Sequence, residues 1–311
     1  MAYYLGIDGG GSKTTCAAGD ESSLRATATA GASNVTRVGE VRARESLHQA
    51  IREACAAAKI DPRQVQRTCI GAAGAGRQEI AGVVRKIVGE MIPGEIEVVG
   101  DMEIALAAAF GAGPGVIVIA GTGSIAYGRD AQGRTARAGG WGFAISDEGS
   151  AHWIGRTAIS ALLRAIDQEK DAQAAAETLP LFRELKAIWN LHSLDELVRT
   201  ANSTPDFAGL FPAILAAADA GNALAQGVLE RAGGELAQLA GIVVRRLFAD
   251  NDMRLPAIPL AMAGGVFRHS PTVRDVFCDE VRKLNPRLSV NPAVVEPVQG
   301  ALQLARRSQA K

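Results

Sequence analysis

Two glycine-rich segments of this chain carry hydroxyl and amine side chains that could bind a polyphosphate. Their residues are Gly10, Gly11, Ser12 and Lys13 in GIDGGGSKT, and Gly121 to Ser124 in IAGTGSIAYG. Because glycine has no Cβ, its backbone N–H groups can approach an anion closely. A tight hairpin tip needs glycines as well, so one such loop alone leaves both interpretations open. Two loops together favour a pair of hairpins gripping the phosphates of one nucleotide, although neither matches the Walker A pattern.

Asp101 is the residue that could act as a base. It follows the strand-like EIEVVG and precedes the helix-like MEIALAAAF, and open α/β sheets bind their ligands at the carboxyl ends of strands. A carboxylate there could orient an attacking hydroxyl and accept its proton late in phosphoryl transfer. Asp before a helix is also a common N-cap. Position alone leaves both roles open.

The segment ARAGGWGFAISDEGSAHWIG contains the side chains that a sugar site needs. Asp147 and Glu148 can accept hydrogen bonds from hydroxyl groups, while Trp141 can pack on the C–H face of a sugar. The alternative is a helix N-terminus with two core tryptophans. We interpret His152, inside the following helix, as a packing residue, and Asn34 in GASN could form an Asx turn.

The elements that must position these residues alternate between strands and helices. The hairpin from Tyr3 to Asp20 recurs from Val116 to Asp130, which indicates an internal repeat and an α/β fold. The glycines of GAGPG, Gly111 to Gly115, favour a linker. We therefore predict a first domain over 1–112, a second over 113–296, and a C-terminal helix over 297–311 that packs on the first domain.

Composition excludes several classes of function. The 311 residues include 33 Lys and Arg against 33 Asp and Glu, with 5% aromatic residues, so nucleic acid is not an expected partner. The N-terminus lacks a signal-peptide pattern and no apolar run reaches the ~18 residues of a membrane span, which predicts a cytoplasmic protein without a membrane partner. The four isolated cysteines predict reduced thiols.

Nearly the whole chain resembles the sugar-kinase, Hsp70 and actin superfamily, and within it the N-acetylglucosamine kinase branch grouped with the BadF/BadG/BcrA/BcrD ATPases. The strings that carry the resemblance occur in the family's order. They are GIDGGGSKT, GASN, VVGDMEIAL, IAGTGSIAYG, GGWGFAISDEGSAHWIG and, more weakly, DFAG and MAGGVF. The resemblance implies two ribonuclease H-like (actin/hexokinase-type) domains flanking a nucleotide and sugar cleft.

The resemblance also implies a role for each matching residue. Asp8 would lie beside Mg²⁺, through water, and Asp101 would be the catalytic base. Sugar contacts would come from Asn34, Asp101, Ser124, Gly140, Trp141 and Asp147. ATP would contact Gly10, Gly11, Ser12, Lys13, Thr122, Gly123, Ala208, Gly264 and Gly265.

The function that follows is transfer of the ATP γ-phosphoryl group to the 6-hydroxyl of N-acetylglucosamine, by a homodimeric enzyme. Alternatives are a glucosamine or N-acetylmuramic acid kinase, or an ATPase that activates a partner enzyme. Isolated cysteines argue against the activator, because such proteins bind a cluster through paired cysteines. Ala73 and Ala75 stand where animal relatives have serines, so recognition of the sugar's C2 substituent stays open.

Overall fold

The computed structural model describes residues 2–203, 205–248 and 257–307 of the chain. It separates into two compact units. Unit 1 comprises Met1–Ile117, Tyr127–Thr135 and Ala293–Lys311, and unit 2 comprises Val118–Ala126 and Ala136–Pro292. The predicted domain boundary before Gly113 stays a prediction. Residues 308–311 of the predicted C-terminal helix lie outside the described residues.

The first sheet joins the predicted N-terminal hairpin to two parallel strands. Its strands are β1 (Tyr3–Gly9), β2 (Thr14–Gly19), β3 (Leu24–Ala30), β4 (Val65–Ala72) and β5 (Glu95–Gly100), in the order β3-β2-β1-β4-β5. β1 is antiparallel to β2 and parallel to β4, which is parallel to β5. The carboxyl ends of β1, β4 and β5 therefore meet at one edge of the sheet, where Asp8 and Asp101 are found.

The second sheet repeats the strand order of the first. Its strands are β6 (Gly115–Ala120), β7 (Ser124–Arg129), β8 (Thr135–Gly139), β9 (Ile258–Ala263) and β10 (Leu288–Val295), in the order β10-β9-β6-β7-β8. If the strands of each sheet are numbered in chain order, both sheets have the spatial order third, second, first, fourth and fifth strand. The outer strand next to the hairpin, β3 or β8, is the third. The internal repeat read from the sequence is confirmed, and with it the α/β class.

Helices connect and cover these strands. Within the described ranges they are α1 (Val35–Ala58), α2 (Gln78–Gly89), α3 (Asp101–Phe110), α4 (Ala151–Ile166), α5 (Ala172–Thr178), α6 (Pro180–Trp189), α7 (Leu194–Ala201), α8 (Phe211–Asp219), α9 (Ala223–Leu247), α10 (Gly265–His269), α11 (Pro271–Leu284) and α12 (Pro297–Arg306). Six of them, α4 to α9, stand between β8 and β9, so the second half is the more helical one, as its alanine- and leucine-rich composition predicts.

None of the helices in the described ranges is by itself both long and apolar enough to cross a membrane. The helical stretches Phe207–Asp219 and Ala223–Leu247 reach those limits only jointly, across a bend of 117°.

Glycines let α12 pack very closely inside unit 1. Leu5 and Ile7 point into the core beneath α1 and α2, while Gly6 on the opposite face of β1 lies under α12. A Cβ on Gly6 would overlap the backbone of Leu302, and one on Gly300 would overlap a carbonyl oxygen of α3. Backbone therefore packs on backbone where α12 crosses β1 and α3, and this contact closes the face of the sheet beside Asp8.

We expect Gly300→Ala to destabilise the protein by about 2 kcal/mol or more, because the added methyl group overlaps backbone atoms that cannot move independently. The matched control is Gly234→Ala in α9, where a Cβ would meet nothing within 4 Å. There we expect a gain of up to about 1 kcal/mol from helix propensity. Urea unfolding measures both free energies. Equal effects at the two positions would contradict the close packing of α12.

Candidate active site

In unit 1, the first glycine loop is tied to two neighbouring loops. The Gly10 amide donates to the Lys13 carbonyl at 3.0 Å, and the Gly10 carbonyl accepts from the amides of Ser33 at 3.1 Å and Asn34 at 3.2 Å. Thr14, at the start of β2, adds a hydroxyl donated to the Ser33 hydroxyl at 2.7 Å. The segments GGGSK and GASN are thus held side by side at the edge of the first sheet.

Asn34 caps the first helix. Its Oδ1 accepts hydrogen bonds from the Thr36 amide at 3.1 Å and the Thr36 hydroxyl at 2.7 Å. Helix α1 starts at Val35 and is interrupted at Gly39, where φ is 79°. The local Asx-type role of Asn34 is thus present, and contact with a sugar stays a prediction.

Asp101 is not the N-cap of α3, which corrects one of the two roles left open by the sequence. Gly100 occupies the cap position, and its amide donates to Glu103 Oε1 at 3.0 Å. Asp101 is the first helical residue, and its Oδ1 accepts from the Met102 amide at 3.0 Å. The Asp101 carboxylate therefore satisfies an amide at the helix start from within the helix, and its role as a base stays a prediction.

Asp8 and Asp101 form an acidic pair in which the charge of Asp101 acts on Asp8. Burial, together with the negative charge of Asp101, raises the pKa of Asp8 to about 7. The charge of Lys13 opposes this rise, and Glu296, just before α12, adds to it. Burial also raises the pKa of Asp101, against the hydrogen bond from the Met102 amide. Two carboxyl groups that hold protons this readily are suited to receive a cation or a proton.

The donor set fits a magnesium ion that is shared with a nucleotide. Mg²⁺ binds through one or two carboxylates plus phosphate oxygens and water, and seldom in a cage made of protein alone. No group of three or more His, Cys, Asp or Glu among the described residues could hold a metal ion by itself. At Asp8, burial and the charge of Asp101 outweigh the positive charge of Lys13, and a cation would offset them.

In unit 2, the second glycine loop is fastened to the start of α4. The Ala151 amide donates to the Gly121 carbonyl at 2.9 Å, and the His152 amide donates to the Thr122 carbonyl at 3.4 Å. Both peptide bonds are trans, so each of these carbonyls lies opposite the N–H of the next residue. The N–H groups of Thr122 and Gly123 therefore point away from α4, in the direction from which a phosphate could approach.

The carboxylate of Asp147 lies directly against this loop. A Cβ on Gly123 would come within 2.7 Å of Asp147 Oδ2. The sequence suggested that Gly123 is glycine to admit phosphate; the structure shows that the Asp147 side chain also requires it. Next to them, the Ser124 hydroxyl donates to the Glu148 carbonyl at 2.7 Å. Asp147, Gly123 and Ser124, all predicted from the resemblance, are thus brought together.

The two tryptophans of this region differ in exposure. Trp153 is 6% exposed and belongs to the core, whereas Trp141 is 67% exposed, with the Arg137 guanidinium 4.3 Å from its ring centroid. The sequence left open whether both tryptophans belong to the core, and only Trp153 does. Gly140, with φ 68°, packs against Ile125 of β7. The Trp141 ring is therefore held near the loop and open to a ligand.

Three more residues predicted to contact ATP lie near the second loop or near α4. Gly264, with φ 100°, packs so tightly on the end of β6 that a Cβ would overlap the Ala120 carbonyl, and Gly265 begins α10. Ala208 lies in the 3-10 turn Phe207–Leu210, which packs on α4. Their contact with ATP stays a prediction.

Aromatic contacts that the sequence did not reveal join these segments. His152 lies between Phe143, at 5.0 Å between ring centroids, and Phe207, at 5.2 Å. The interpretation of His152 as a packing residue agrees with this position. Phe143 lies inside GGWGFAISDEGS and Phe207 inside DFAG, so their place in the strings that carry the resemblance was the available signal. Glu296 was also not predicted from the sequence. It is an acidic residue between the end of β10 and the start of α12, and Asp101 likewise stands where a strand ends and a helix begins.

Comparison with known proteins places the chain in a family. It matches the BadF/BadG/BcrA/BcrD ATPase family over residues 5–305. The chain belongs to that family. The resemblance found in the sequence is confirmed.

Two curated relatives align over almost their entire lengths. The N-acetylmuramic acid/N-acetylglucosamine kinase of Clostridium acetobutylicum is 31% identical over 98% of this chain and 99% of its own. The N-acetyl-D-glucosamine kinase of Dictyostelium discoideum is 28% identical over 98% of each chain.

Solved structures confirm the fold. A candidate N-acetylglucosamine kinase from Chromobacterium violaceum has a TM-score of 0.76 and 25% identity, with 99% of each chain covered. A ROK family glucokinase from Streptomyces griseus, solved with glucose and AMPPNP, has a TM-score of 0.61 and 18% identity over 98% of this chain and 99% of its own. At that identity the glucokinase shows the fold alone.

The raised pKa of Asp8 predicts that stability depends on pH. An unfolded Asp has a pKa near ~4, so the folded protein holds this proton more tightly, and folding is penalised as the pH rises from ~4 through the folded value of about 7. Asp8→Asn removes the penalty. We expect urea unfolding to show a gain of about 1–4 kcal/mol at pH 8 and little at pH 4.

Asp20→Asn is the control of opposite sign. The Ser22 amide, the Arg25 guanidinium and the Ser23 amide hold the pKa of Asp20 below its ordinary value by hydrogen bonds. Its ionised form therefore stabilises the fold above the unfolded pKa, and that stability is lost as the pH falls. We expect this variant to lose stability at pH 8 and to lose less in acid. A loss of stability for Asp8→Asn at pH 8 would contradict the electrostatic account.

Proposed function

We propose that this protein transfers the γ-phosphoryl group of ATP to the 6-hydroxyl of N-acetylglucosamine, with Asp101 as the base. The observation that carries the proposal is the Asp101 carboxylate, which stands at the carboxyl edge of the first sheet with its Oδ1 held by the Met102 amide. Supporting it are Asp8, the two glycine loops, and a loop with an exposed tryptophan and a buried aspartate.

The relatives establish the general class of the enzyme, an ATP-dependent sugar kinase. The predicted ATP-dependent sugar kinase is confirmed by the two curated kinases that align over nearly the full chain, and both have names that place amino sugars among their substrates. The enzyme is therefore an amino-sugar kinase that uses ATP. The hydroxyl that accepts the phosphoryl group, the sugar's C2 substituent, a homodimeric state, a cytoplasmic location and Mg²⁺ belong to the proposal.

The role of Asp101 follows from its surroundings. Phosphoryl transfer passes through a loose transition state, so the attacking hydroxyl keeps its proton until late and a carboxylate can orient it and accept the proton. Burial raises the pKa of Asp101, which makes it a stronger base than an exposed aspartate. The hydrogen bond from Met102 fixes one oxygen, Oδ1, and so sets the direction of the other.

The loop Gly121 to Ser124 would hold the phosphates. Helix α4 binds the carbonyls of Gly121 and Thr122, which turns the following N–H groups outward as fixed donors. Donors fixed in advance stabilise developing charge without reorganisation during the reaction. Asp8 would hold Mg²⁺, through water, and when bound the ion neutralises phosphate charge. Trp141 offers an open ring face for the C–H groups of a sugar.

We expect Asp101→Asn to lower kcat by about 10²–10⁴, the usual contribution of general acid–base help, while ATP affinity stays within a few-fold of the wild type. The isosteric amide keeps the shape and the hydrogen bond from Met102 and removes only the basicity. Steady-state kinetics with a coupled ADP assay gives kcat, and calorimetry gives the ATP affinity.

Glu103→Gln is the matched control. It lies on the same helix and carries the same charge change, but its side chain caps Gly100. We expect a modest loss of stability and a kcat close to the wild type. A kcat for Asp101→Asn above about half of the wild-type value would remove Asp101 as the base, even if the kinase activity itself is found.

The sugar's substituent gives a further prediction. Ala73 and Ala75 follow β4 in the turn beside the first glycine loop, where the Ala73 amide donates to the Gly9 carbonyl at 3.5 Å. Their small side chains leave room for an N-acetyl group. We expect N-acetylglucosamine to exceed glucosamine by at least ~10-fold in kcat/KM. Kinetics on a panel that includes N-acetylmuramic acid, with NMR of the product, would show the preferred sugar and whether the 6-hydroxyl is phosphorylated.

A further inference from the structure

The turn that follows β4 lies at the sheet edge between Asp8 and Asp101. β4 is the middle one of three parallel strands, and its last residue, Ala72, pairs with Gly9 of β1 and with Gly100 of β5. Neighbouring strands in a sheet are about 4.8 Å apart. A sugar whose accepting hydroxyl contacts Asp101, as in the proposed function, is thereby brought beside this turn, about one strand spacing away.

Arg77, at the end of the turn, folds its guanidinium back over the backbone. Gly74 has φ 82°, and a Cβ at this position would lie 3.4 Å from Arg77 Nη2. The Arg77 amide donates to the Gly74 carbonyl at 3.1 Å, and the Ala75 amide donates to the Ala72 carbonyl at 3.0 Å. The guanidinium thus lies against a hydrogen-bonded turn, on the segment of the chain that borders Asp101.

Arg77 takes no part in the ion pairs formed among the described residues. Two other arginines of unit 1, Arg44 and Arg67, each pair with a glutamate at 3.0 Å. The positive charge that acts on Asp8 is that of Lys13. Because a guanidinium keeps its proton throughout the physiological pH range, Arg77 is a cation that can bind an anionic group of a ligand.

The residues of this turn favour a carboxylate on the sugar over a charged amine. Ala73 and Ala75 are small and uncharged, so they leave room for a substituent without neutralising it. A guanidinium binds a carboxylate through two parallel hydrogen bonds, whereas it repels the ammonium group of glucosamine. N-acetylmuramic acid carries such a carboxylate on the lactyl group at C3, next to the N-acetyl group at C2.

We propose that Arg77 recognises a carboxylate at C3 of the acceptor sugar and so makes N-acetylmuramic acid a substrate beside N-acetylglucosamine. This inference rests on the proposed function and adds a substrate class and a specificity-determining residue to it. The carboxylate itself does not react. The bond from the 6-hydroxyl oxygen to phosphorus forms, the bond from phosphorus to the β–γ bridging oxygen breaks, ADP keeps that electron pair, and Asp101 takes the proton.

Two substitutions of Arg77 test the recognition. Arg77→Gln removes the charge, and Arg77→Lys keeps the charge but loses the planar pair of donors. Arg85→Gln is the matched control. It makes the same change about two turns further along α2, where the side chain donates to the Ile96 carbonyl at 3.3 Å. Both arginines are exposed, so we expect all three variants to fold, and thermal unfolding checks this.

The measurement is kcat/KM for N-acetylglucosamine, for N-acetylmuramic acid and for the neutral amide of N-acetylmuramic acid. We expect Arg77→Gln to lower the value for N-acetylmuramic acid about 10-fold or more, mainly through KM, and the other two values less than 3-fold. Arg77→Lys should lose less, and Arg85→Gln should stay within about 2-fold for all three sugars. A merely structural role for Arg77 would lower the three values together, so a selective loss is specific to the carboxylate.

Three outcomes would overturn the recognition. They are a wild type that phosphorylates N-acetylglucosamine but not N-acetylmuramic acid, an Arg77→Gln variant that keeps its activity on N-acetylmuramic acid, and one that loses activity equally on all three sugars. Each leaves the proposed function in place, because the wild type still phosphorylates an amino sugar. If the wild type phosphorylates none of the three, the proposed function fails and the recognition fails with it.

Discussion

The arrangement of unit 2 depends on hydrogen bonds between the start of α4 and the loop after β6. Amides at a helix N-terminus must find acceptors, and here two of them take the carbonyls of Gly121 and Thr122. These two hydrogen bonds fix the loop and turn the loop's own amides away from α4. The loop has room for the Asp147 side chain at Gly123. The position of the second glycine loop and the aromatic contacts of His152 both depend on where this one helix begins.

The two sheets share a strand order but carry different chemistry. The first holds the carboxyl groups, with Asp8 and Asp101 at the ends of strands that run parallel. The second holds the loop whose amides are turned outward. A duplicated architecture thus provides two equivalent edges, and the residue types at each edge decide whether it carries acids or anion-binding backbone. This division explains why two similar hairpin strings, GGGSK and GTGS, need not have the same role.

Local sequence patterns predicted much of the fold and of the candidate site. The features that they did not predict depend on contacts between residues that are distant in sequence. Both hairpins, the strand ending before Asp101 and the helical second half could be read from glycine spacing and apolar periodicity. The N-cap position expected for Asp101 was wrong because the cap lies one residue earlier, at Gly100, whose amide donates to Glu103 three residues later; the spacing could have revealed it. The position of Asp147 on Gly123 left no signal in either string, because it depends on how two separate loops meet.

The close packing of α12 has a consequence for how the protein is made. Unit 1 includes Ala293–Lys311, and α12 lies on β1, near the opposite end of the chain. A ribosome therefore exposes the first sheet long before the helix that covers one of its faces has been synthesised. Contacts with such large sequence separation form late. The surroundings of Asp8 are completed only with α12, so the nascent chain cannot acquire its acidic pair in final form until its last helix has emerged.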